Sequence, residues 1–461
     1  MKKLLIIIHI LLSVIIPLHA QPELKYAEAS IIGNDAQWID SYPVGDSVLL
    51  HYMVYSANIE IKRAVWVRKN GDSKPIELDT EIFSVNRYGG DVYYYVLEEI
   101  KKKLVLKAIV DRSDDTRFEP EESIAIQGDV LDEFIDKNQF IILHDRKNKK
   151  IVEMELNRMQ VVNTREWDLP DAIYKQIDKT PFTFVKDGSF SNSFSGHAKV
   201  KLYRERDGRY VITADERHSV RSNKPVTPEK TTGTHIAIMG DTAVNIVPYT
   251  ANNEFRSWYA NGKLFRYSLS RQSSNLEIID VASKDTIAKQ IFGNNVNFPI
   301  YRRDGTKKSV DIDNKFPELT KLAGRTDPLI AVTADPDGGY LLMTGSRQMT
   351  SDQTGVTVAV MFGVTGYLIF TIAGGMKHAG NTPGTDLYYY NIFDPASGSL
   401  EVIPIEKNNS VRDYVDRYEA EHISNQRRIV LRGYSENTND VIGFYYNEGP
   451  EKVNVVWFPR K

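Results

Sequence analysis

The sequence predicts an all-β protein: an N-terminal β-sandwich over residues 27–128, followed by a six- or seven-bladed β-propeller over residues 138–461. Three observations support this prediction. Short strand-like runs alternate with turn residues along most of the chain. Tyrosine is abundant, with 25 tyrosines against 5 tryptophans, as is typical of strands that have one wet face. A short loop pattern also occurs twice.

The repeated loop pattern lies in residues 205–219 and 334–349. In each copy an Asp-Gly pair leads, after one residue, to a tyrosine and an uncharged run, and an arginine follows ten positions after the aspartate. Glycine permits the positive φ of a tight hairpin turn. We interpret the two copies as the same strand of two propeller blades, with 130 residues between them, enough for three repeats of roughly 43 residues. The landmark residues are Asp207, Gly208, Tyr210 and Arg217 in the first copy, and Asp337, Gly338, Tyr340 and Arg347 in the second.

The first twenty residues predict a secretory signal peptide. Lys2 and Lys3 form a basic segment, residues 4–16 are apolar, and Ala20 ends a plausible cleavage site. The alternative is an N-terminal anchor that is retained. With cleavage, the formal charge changes from −3 to −5 because two lysines are lost.

Composition excludes several kinds of chemistry. The chain has no cysteine, which rules out disulfides, zinc sites with thiolate ligands, cysteine nucleophiles and a lipid-modified cysteine. Basic residues do not cluster, so nucleic acid is not an expected partner. The sequence thus predicts a periplasmic or secreted bacterial protein that is peripheral rather than membrane-spanning.

The N-terminal region contains five strand-like runs, at residues 47–55, 63–69, 92–97, 104–111 and 122–127. Their order resembles that of an immunoglobulin-like module, with Trp66 in the position of the core tryptophan. The alternative is that these strands are the first blades of the propeller. Residues 129–136 predict a short helical connector, and we place the domain boundary there.

The remainder of the chain repeats a strand, a polar turn and a second strand, at residues 139–156, 255–269, 386–405 and 441–458. Its second loop copy resembles the blades of TolB-type β-propellers. The matching residues are Pro336, Asp337, Gly338, Tyr340, Ser346 and Arg347. The first copy departs from the pattern, with Arg206 in place of the proline and Asp215 and Glu216 before the arginine. The resemblance implies a fold and leaves function open, because such propellers serve as binding platforms, enzyme frames and scaffolds.

Two other segments stand out. Residues 356–376 carry no charge, and Gly363 and Gly366 interrupt them, so we expect two central strands rather than the alternative of a membrane span. Residues 410–424 predict a helix that Ser410 and Asp413 cap. We expect its apolar stripe to join the core, the alternative being a groove for a partner.

No catalytic residue can be assigned from motifs. The mature histidines show no metal-binding spacing, and neither a G-x-S-x-G elbow nor a P-loop occurs, so we predict no metal and no cofactor. Asp311, Asp313, Asn314 and Glu318 are close in sequence but lack the glycine of a calcium loop, and we expect a solvated loop before a short helix. We expect Trp258, Tyr259 and the tyrosines at 388–390 and 445–446 to be strand residues, the alternative being stacking on a sugar or peptide.

The predicted function is non-catalytic binding or scaffolding in the bacterial envelope, with a protein or glycan as partner. The alternative is a hydrolase or lyase with its site at the axial mouth of the propeller. An enzyme is expected to gather acids with an arginine or histidine there, whereas a scaffold is expected to expose an apolar patch.

Overall fold

The computed structural model describes residues 27–460 apart from several segments. Those segments are 33–35, 57–58, 79, 113–117, 121–122, 178–181, 187–195, 206, 217–232, 242, 250–252, 294–295, 297, 305–309, 322–326, 335–337, 350–383, 404–410, 412–414, 416–417, 424–428, 437–438 and 448–451. The described strands form seven sheets, in which neighbouring strands are antiparallel with one exception. Within these residues, no helix combines the length and the apolar character needed to cross a bilayer.

Sheets I to III follow one another along the chain. Sheet I contains β2 (Ala36–Val44), β3 (Ser47–Ser56), β4 (Ile59–Arg68) and β5 (Ser73–Ile76). Sheet II contains β6 (Ser84–Tyr88), β7 (Asp91–Ile100), β8 (Lys103–Asp111), β9 (Phe118–Pro120) and β10 (Ile124–Ile126). Sheet III contains β11 (Asp129–Asp136), β12 (Asn138–Asp145), β13 (Lys150–Asn157) and β14 (Gln160–Asp168).

Sheets IV to VI continue in the same manner. Sheet IV contains β15 (Phe182–Lys186), which pairs parallel to β16 (Val200–Arg204), followed by β17 (Tyr210–Asp215), β18 (Gly233–Ile238) and β19 (Val244–Pro248). Sheet V contains β20 (Phe255–Ala260), β21 (Lys263–Leu269), β22 (Ser273–Asp280) and β23 (Thr286–Gly293). Sheet VI contains β24 (Pro299–Asp304), β25 (Val310–Lys315), β26 (Asp327–Ala334), β27 (Tyr340–Met349), β28 (Gly384–Asp394) and β29 (Ser399–Ile403).

Sheet VII joins the two ends of the described chain. It contains β30 (Ile429–Glu436), β31 (Asp440–Asn447) and β32 (Lys452–Pro459), and β1 (Ala27–Ile32) pairs with β32 at its edge. A separate N-terminal sandwich over residues 27–128 is not confirmed, because its first strand belongs to the C-terminal sheet. The pairing favours the alternative in which these strands are blades of the propeller.

Apolar clusters lie between most neighbouring sheets. One cluster joins sheets VII and I, another joins I and II, and others join II to III and III to IV. The largest cluster is shared by sheets IV, V and VI. β25 of sheet VI contacts a π-helical turn, Glu419–Ile423. Tyr418, directly before that turn, packs on sheet VII. The succession of sheets is thereby closed into the ring of a β-propeller.

The helices in the described part of the chain are few and short. Helix α1 (Asp171–Ile177) buries Ile173 and Ile177 against sheet IV, and α2 (Phe316–Lys321) directly follows β25. The helical connector predicted over residues 129–136 is wrong, because the segment forms β11. The alternation of Val130 and Leu131 between two clusters on opposite sides of the sheet shows a period of two.

The remaining predictions for secondary structure have clear outcomes where residues are described. The strand pairs predicted at 139–156, 255–269, 386–405 and 441–458 are present. The described part of the segment 410–424 is helical, and its Val415 and Tyr418 are core residues, as predicted. The short helix predicted after Asp311 and Asp313 is α2, although a strand rather than a loop precedes it. The uncharged segment 356–376 lies outside the described residues.

Candidate functional site

The strands of sheets IV, V and VI have two ends that differ in chemistry. At one end, here the charged end, lie Asp215 of sheet IV, Arg256 of sheet V and Asp327 of sheet VI. At the other, here the hairpin end, the first strand of each sheet's hairpin turns back into the second. Hydrogen bonds from Asp215 to sheet V and from Arg256 to sheet VI show that the charged ends of the three sheets are neighbours in space. They form the candidate functional site.

Asp215 fastens sheet IV to sheet V. This aspartate is the last residue of β17 and is 4% exposed. One carboxylate oxygen accepts hydrogen bonds from the hydroxyls of Thr234 (2.9 Å) and Ser257 (2.6 Å), and the other accepts from the backbone N–H of Ser257 (2.8 Å). A buried carboxylate needs such donors, because its desolvation is otherwise costly.

Arg256 joins sheet V to sheet VI and to the segment 196–199. Its guanidinium is 1% exposed, and Nε donates to the carbonyl of His197 at 2.6 Å. Nη1 donates to the carbonyl of Phe255 (2.6 Å) and to Glu254 (3.2 Å), and Nη2 donates to the carboxylate of Asp327 in sheet VI. Every terminal nitrogen of this arginine therefore has a partner, which is the condition under which a buried charge is tolerated.

Two further buried basic side chains, Lys201 and Arg266, lie close enough to Asp215 for its charge to act on them. The amine of Lys201, on β16, donates to the carbonyls of Ala198 (2.5 Å) and Ser257 (2.8 Å). Burial lowers the pKa of Lys201 to about 7, although the nearby Asp215 acts to raise it. Arg266, on β21, donates to the carbonyls of Pro248 and Val247 at 2.9 Å each, and burial lowers its pKa as well.

A small recess opens beside these buried groups. It is lined by Lys199, Asp215, Glu216, Asn253, Glu254, Phe255 and Arg256. Lys199 and Glu254 form an ion pair at 3.6 Å, and Glu216 lies 3.5 Å from Nε2 of His235. The side chains of Glu216 and Glu254 are about a quarter exposed, at 27% and 25%. They can therefore meet a ligand from solvent, whereas the groups beneath them are committed to other parts of the protein.

The structure separates the landmark residues of the repeated loop pattern. Tyr210 and Tyr340 both open the second strand of a hairpin and are buried, at the hairpin end of sheets IV and VI. Gly208 and Gly338, in the turns just before them, have φ of +82° and +91°. Asp207 lies in the first turn, and its carboxylate accepts from the backbone N–H of Arg209 at 3.0 Å.

The arginine landmarks lie elsewhere or are not described. Arg347 is buried near the charged end of sheet VI, where its backbone is paired with that of Asp327. Arg217 and Asp337 lie outside the described residues. The equivalence of the two loop copies as repeat positions stays a prediction.

The aromatic residues considered for ligand stacking are strand residues, as predicted. Trp258, Tyr259, the three tyrosines at 388–390 and the pair at 445–446 are all buried. Among the histidines, burial lowers the pKa of His51 in sheet I to about 4 and also lowers that of His144 in sheet III. In the part of the chain that the structure describes, no three His, Cys, Asp or Glu side chains group closely enough to hold a metal ion.

Sequence reasoning did not find the charged end. Asp215 only interrupts the loop pattern and Arg256 belongs to no motif, so the sequence pattern assigns neither of them a role. A signal was present, since each is a charged residue at or within an otherwise apolar strand, in YVITAD and FRSWYA. A charge in such a strand indicates a buried ion pair or a site.

Comparisons with known proteins add little to this picture. No protein-family model and no curated protein sequence matches the chain. Among solved structures, the Dos1 propeller is 9% identical over 95% of both chains, with a TM-score of 0.33. The WD40 domain of SCAP from fission yeast is 9% identical over 92% of this chain and 82% of its own, with a TM-score of 0.29. A prolyl endopeptidase is 8% identical over 93% of this chain and 56% of its own, with a TM-score of 0.31. Similarities this low carry no argument, so the propeller assignment rests on the strand pairing and packing.

Proposed function

We propose that the protein is an exported, non-catalytic binding or scaffolding module of the bacterial envelope, and that its protein or glycan partner binds at the charged end of sheets IV to VI. Export is proposed from the first twenty residues, where Lys2 and Lys3 precede an apolar run that ends before Ala20. The partner site is proposed from the geometry of the charged end.

One observation carries the proposal. The buried Asp215 and Arg256 join three neighbouring sheets. Beside them, Lys199, Glu216 and Glu254 are partly exposed around a recess. A rigid base beneath exposed polar groups is favourable for binding, because little conformational freedom is lost when the partner is held. The charges also allow discrimination, since a partner with mismatched charge is penalised.

Site-specific photo-crosslinking tests the proposal. The full chain is produced in an exporting bacterium with p-benzoylphenylalanine at Asn253, beside the recess, or at Ser283, in the turn between β22 and β23. Ser283 lies at the opposite end of sheet V and is exposed, so it is a matched control. We expect a discrete adduct from position 253, recovered from the envelope fraction, and none from position 283.

A charge reversal identifies the contact. Glu216→Lys should abolish the adduct, whereas Asp285→Lys, which makes the same change in the exposed turn at the opposite end, should not. The same adducts from both crosslinker positions, or an adduct that survives Glu216→Lys, would refute the proposed site. Recovery of the protein only from the cytoplasm would refute export.

The rival function is a hydrolase or lyase, and one observation favours it. The charged end gathers carboxylates with an arginine and with His235, the composition expected of an enzyme. Against this, both oxygens of Asp215 and all three nitrogens of Arg256 are already bonded within the protein. Scaffolds are expected to expose apolar groups, and Val161 and Val162 are adjacent and exposed on β14. Turnover of peptide or glycoside substrates that Glu216→Gln abolishes would establish the rival.

A further inference from the structure

A four-residue strap, residues 196–199, crosses the charged end and is held by all four of its carbonyl oxygens. The carbonyl of Gly196 accepts from the backbone N–H of Ile330 in sheet VI at 3.3 Å, and that of Lys199 accepts from the N–H of Asp215 in sheet IV at 2.9 Å. Between them, His197 accepts from Arg256 of sheet V and Ala198 accepts from the amine of Lys201. The strap thus touches three sheets, and its last residue lines the recess.

Among the groups that donate to the strap, Lys201 is the one whose pKa lies near neutral pH, at about 7. Its amine is fully buried, lies 5.8 Å from the ring centre of Trp258, and bonds both the strap and the Ser257 carbonyl of sheet V. The charged groups that act on it are Asp215 from β17, which favours the protonated form, and Arg256 from β20, which opposes it. His235 from β18, whose backbone pairs with that of Ala214, lies in the same sheet near this end.

We propose that the protonation of Lys201 controls how firmly the strap is held, so that acidification loosens the strap and with it the recess. The proposal rests on the proposed function only in assigning the recess to a partner. A charged amine that is fully buried is destabilised, and opening the strap relieves that cost.

The direction of the pH effect follows from linkage. The amine has a pKa of about 7 when packed and its ordinary value of 10.5 when the strap is open. Between these values the open form holds more protons, so raising the pH favours the packed form by roughly tenfold for each pH unit above about 7. Below pH 7 both forms are protonated, and the population of the open form is at its maximum and constant.

Hydrogen–deuterium exchange of the full chain tests this without any partner. The readout is the opening equilibrium of the amides of Asp215 and Ile330, which donate to the strap, between pH 6 and pH 9, corrected for intrinsic exchange rates. We expect opening that is flat up to about pH 7 and then falls roughly tenfold for each unit in the wild type. In Lys201→Met the opening should be independent of pH throughout, and Lys263→Met, on β21 at the hairpin end of the neighbouring sheet V, should behave as the wild type.

Two results would overturn the inference: no pH dependence in the wild-type strap, or the same dependence in Lys201→Met. Should the methionine variant fail to fold, the wild-type profile decides alone, because flat exchange from pH 6 to 9 is incompatible with a titrating amine in the strap. The expected pH-dependent exchange together with no crosslink at Asn253 would refute the partner site but support the proposed role of Lys201 in the strap. Exchange that does not depend on pH, together with a specific crosslink at Asn253, would refute the role of Lys201 and support the partner site.

Discussion

The two ends of sheets IV to VI are built on different principles. At the hairpin end, the turns are local: an Asp-Gly or Asn-Gly pair has a positive φ at its glycine, and in sheets IV and VI a buried tyrosine follows two residues after that glycine. These tyrosines also contact neighbouring sheets, since Tyr210 donates to Glu153 and Tyr340 is bonded to Asn261 at 3.3 Å. At the charged end, the contacts are distant in sequence, since Asp215 reaches Ser257 and Arg256 reaches Asp327. The hairpin end is thus built from short-range turns together with tyrosine contacts, whereas the charged end joins the sheets through buried charged groups. Substitutions at the two ends should therefore differ in their effect on stability.

The largest effect is expected from removing the carboxylate that fastens sheets IV and V. Asp215→Ala removes the carboxylate that acts on the buried Lys201 and Arg266, and it leaves the hydroxyls of Thr234 and Ser257 without their acceptor, so we expect a loss of about 3–5 kcal/mol in the free energy of unfolding. Asp207→Ala, an exposed aspartate at the hairpin end, should change it little. Urea unfolding measures both variants, and equal losses would contradict the proposed contrast between the ends.

Acid sensitivity should arise away from the charged end. His51 in sheet I has a pKa of about 4 in the folded protein, because of its burial, against 6.5 in the unfolded chain. The unfolded chain therefore binds more protons between these values, and stability falls as the pH drops from about 6.5 to about 4, by about 3 kcal/mol in total. His51→Gln should remove this slope from unfolding curves recorded at pH 7, 5.5 and 4. An unchanged slope would assign acid sensitivity to other groups.

Gly345 in β27 and Gly338 in the turn before it allow two costs in folding stability to be compared, one from steric overlap and one from backbone conformation. A Cβ on Gly345 would overlap the backbone of Leu387 and Tyr388 on the paired strand β28, so Gly345→Ala should cost about 2–3 kcal/mol. A Cβ on Gly338 meets open space, and only its φ of +91° is unfavourable for alanine, so Gly338→Ala should cost about 1 kcal/mol. Thermal unfolding ranks the two, and the reverse order would show that the hairpin end is packed more tightly than described here.

The smallest effect is expected at the recess itself. Glu216→Lys breaks a part-exposed contact with His235 and should change the free energy of unfolding by less than about 1 kcal/mol. Calorimetry should therefore show nearly the same transition as for Asp285→Lys. A large loss of stability would mean that Glu216, like Asp215 and Arg256, helps to hold the sheets together. A loss of partner binding in Glu216→Lys would then reflect damage to the fold and not the loss of a contact with the partner.

This contrast also explains what could be predicted from the sequence. Strand runs such as SVLLHYMVY and turns such as Asn261-Gly262 depend on neighbours in the chain, and they were placed correctly. The segment 129–136 misled because DVLDEFID has apolar residues compatible with one helical face, although packing between sheets III and IV selects a strand. The site needed pairings across 42 and 71 residues, which no local pattern reports.

The pairing of β1 was missed for the same reason. Six residues at the beginning of the described chain complete a sheet made from its last three strands. Nothing in AEASII distinguishes the edge of an N-terminal sandwich from the edge of a C-terminal blade. This closure accompanies the packing of sheet I against sheet VII, in a cluster to which Ala29 of β1 contributes.

A single engineered disulfide tests the closure most directly. Ser30 and Asn454 are paired across β1 and β32, and their side chains are hydrogen-bonded at 2.8 Å, which brings them close enough for a disulfide. Because the chain has no cysteine, any bridge in Ser30→Cys/Asn454→Cys must be this one. For a closed ring we predict that mild oxidation gives an internal disulfide in the monomer, joining the N- and C-terminal tryptic peptides, and none in Ser30→Cys/Ser397→Cys. Free thiols, or bridges only between two chains, would show that the first strand does not complete the last sheet.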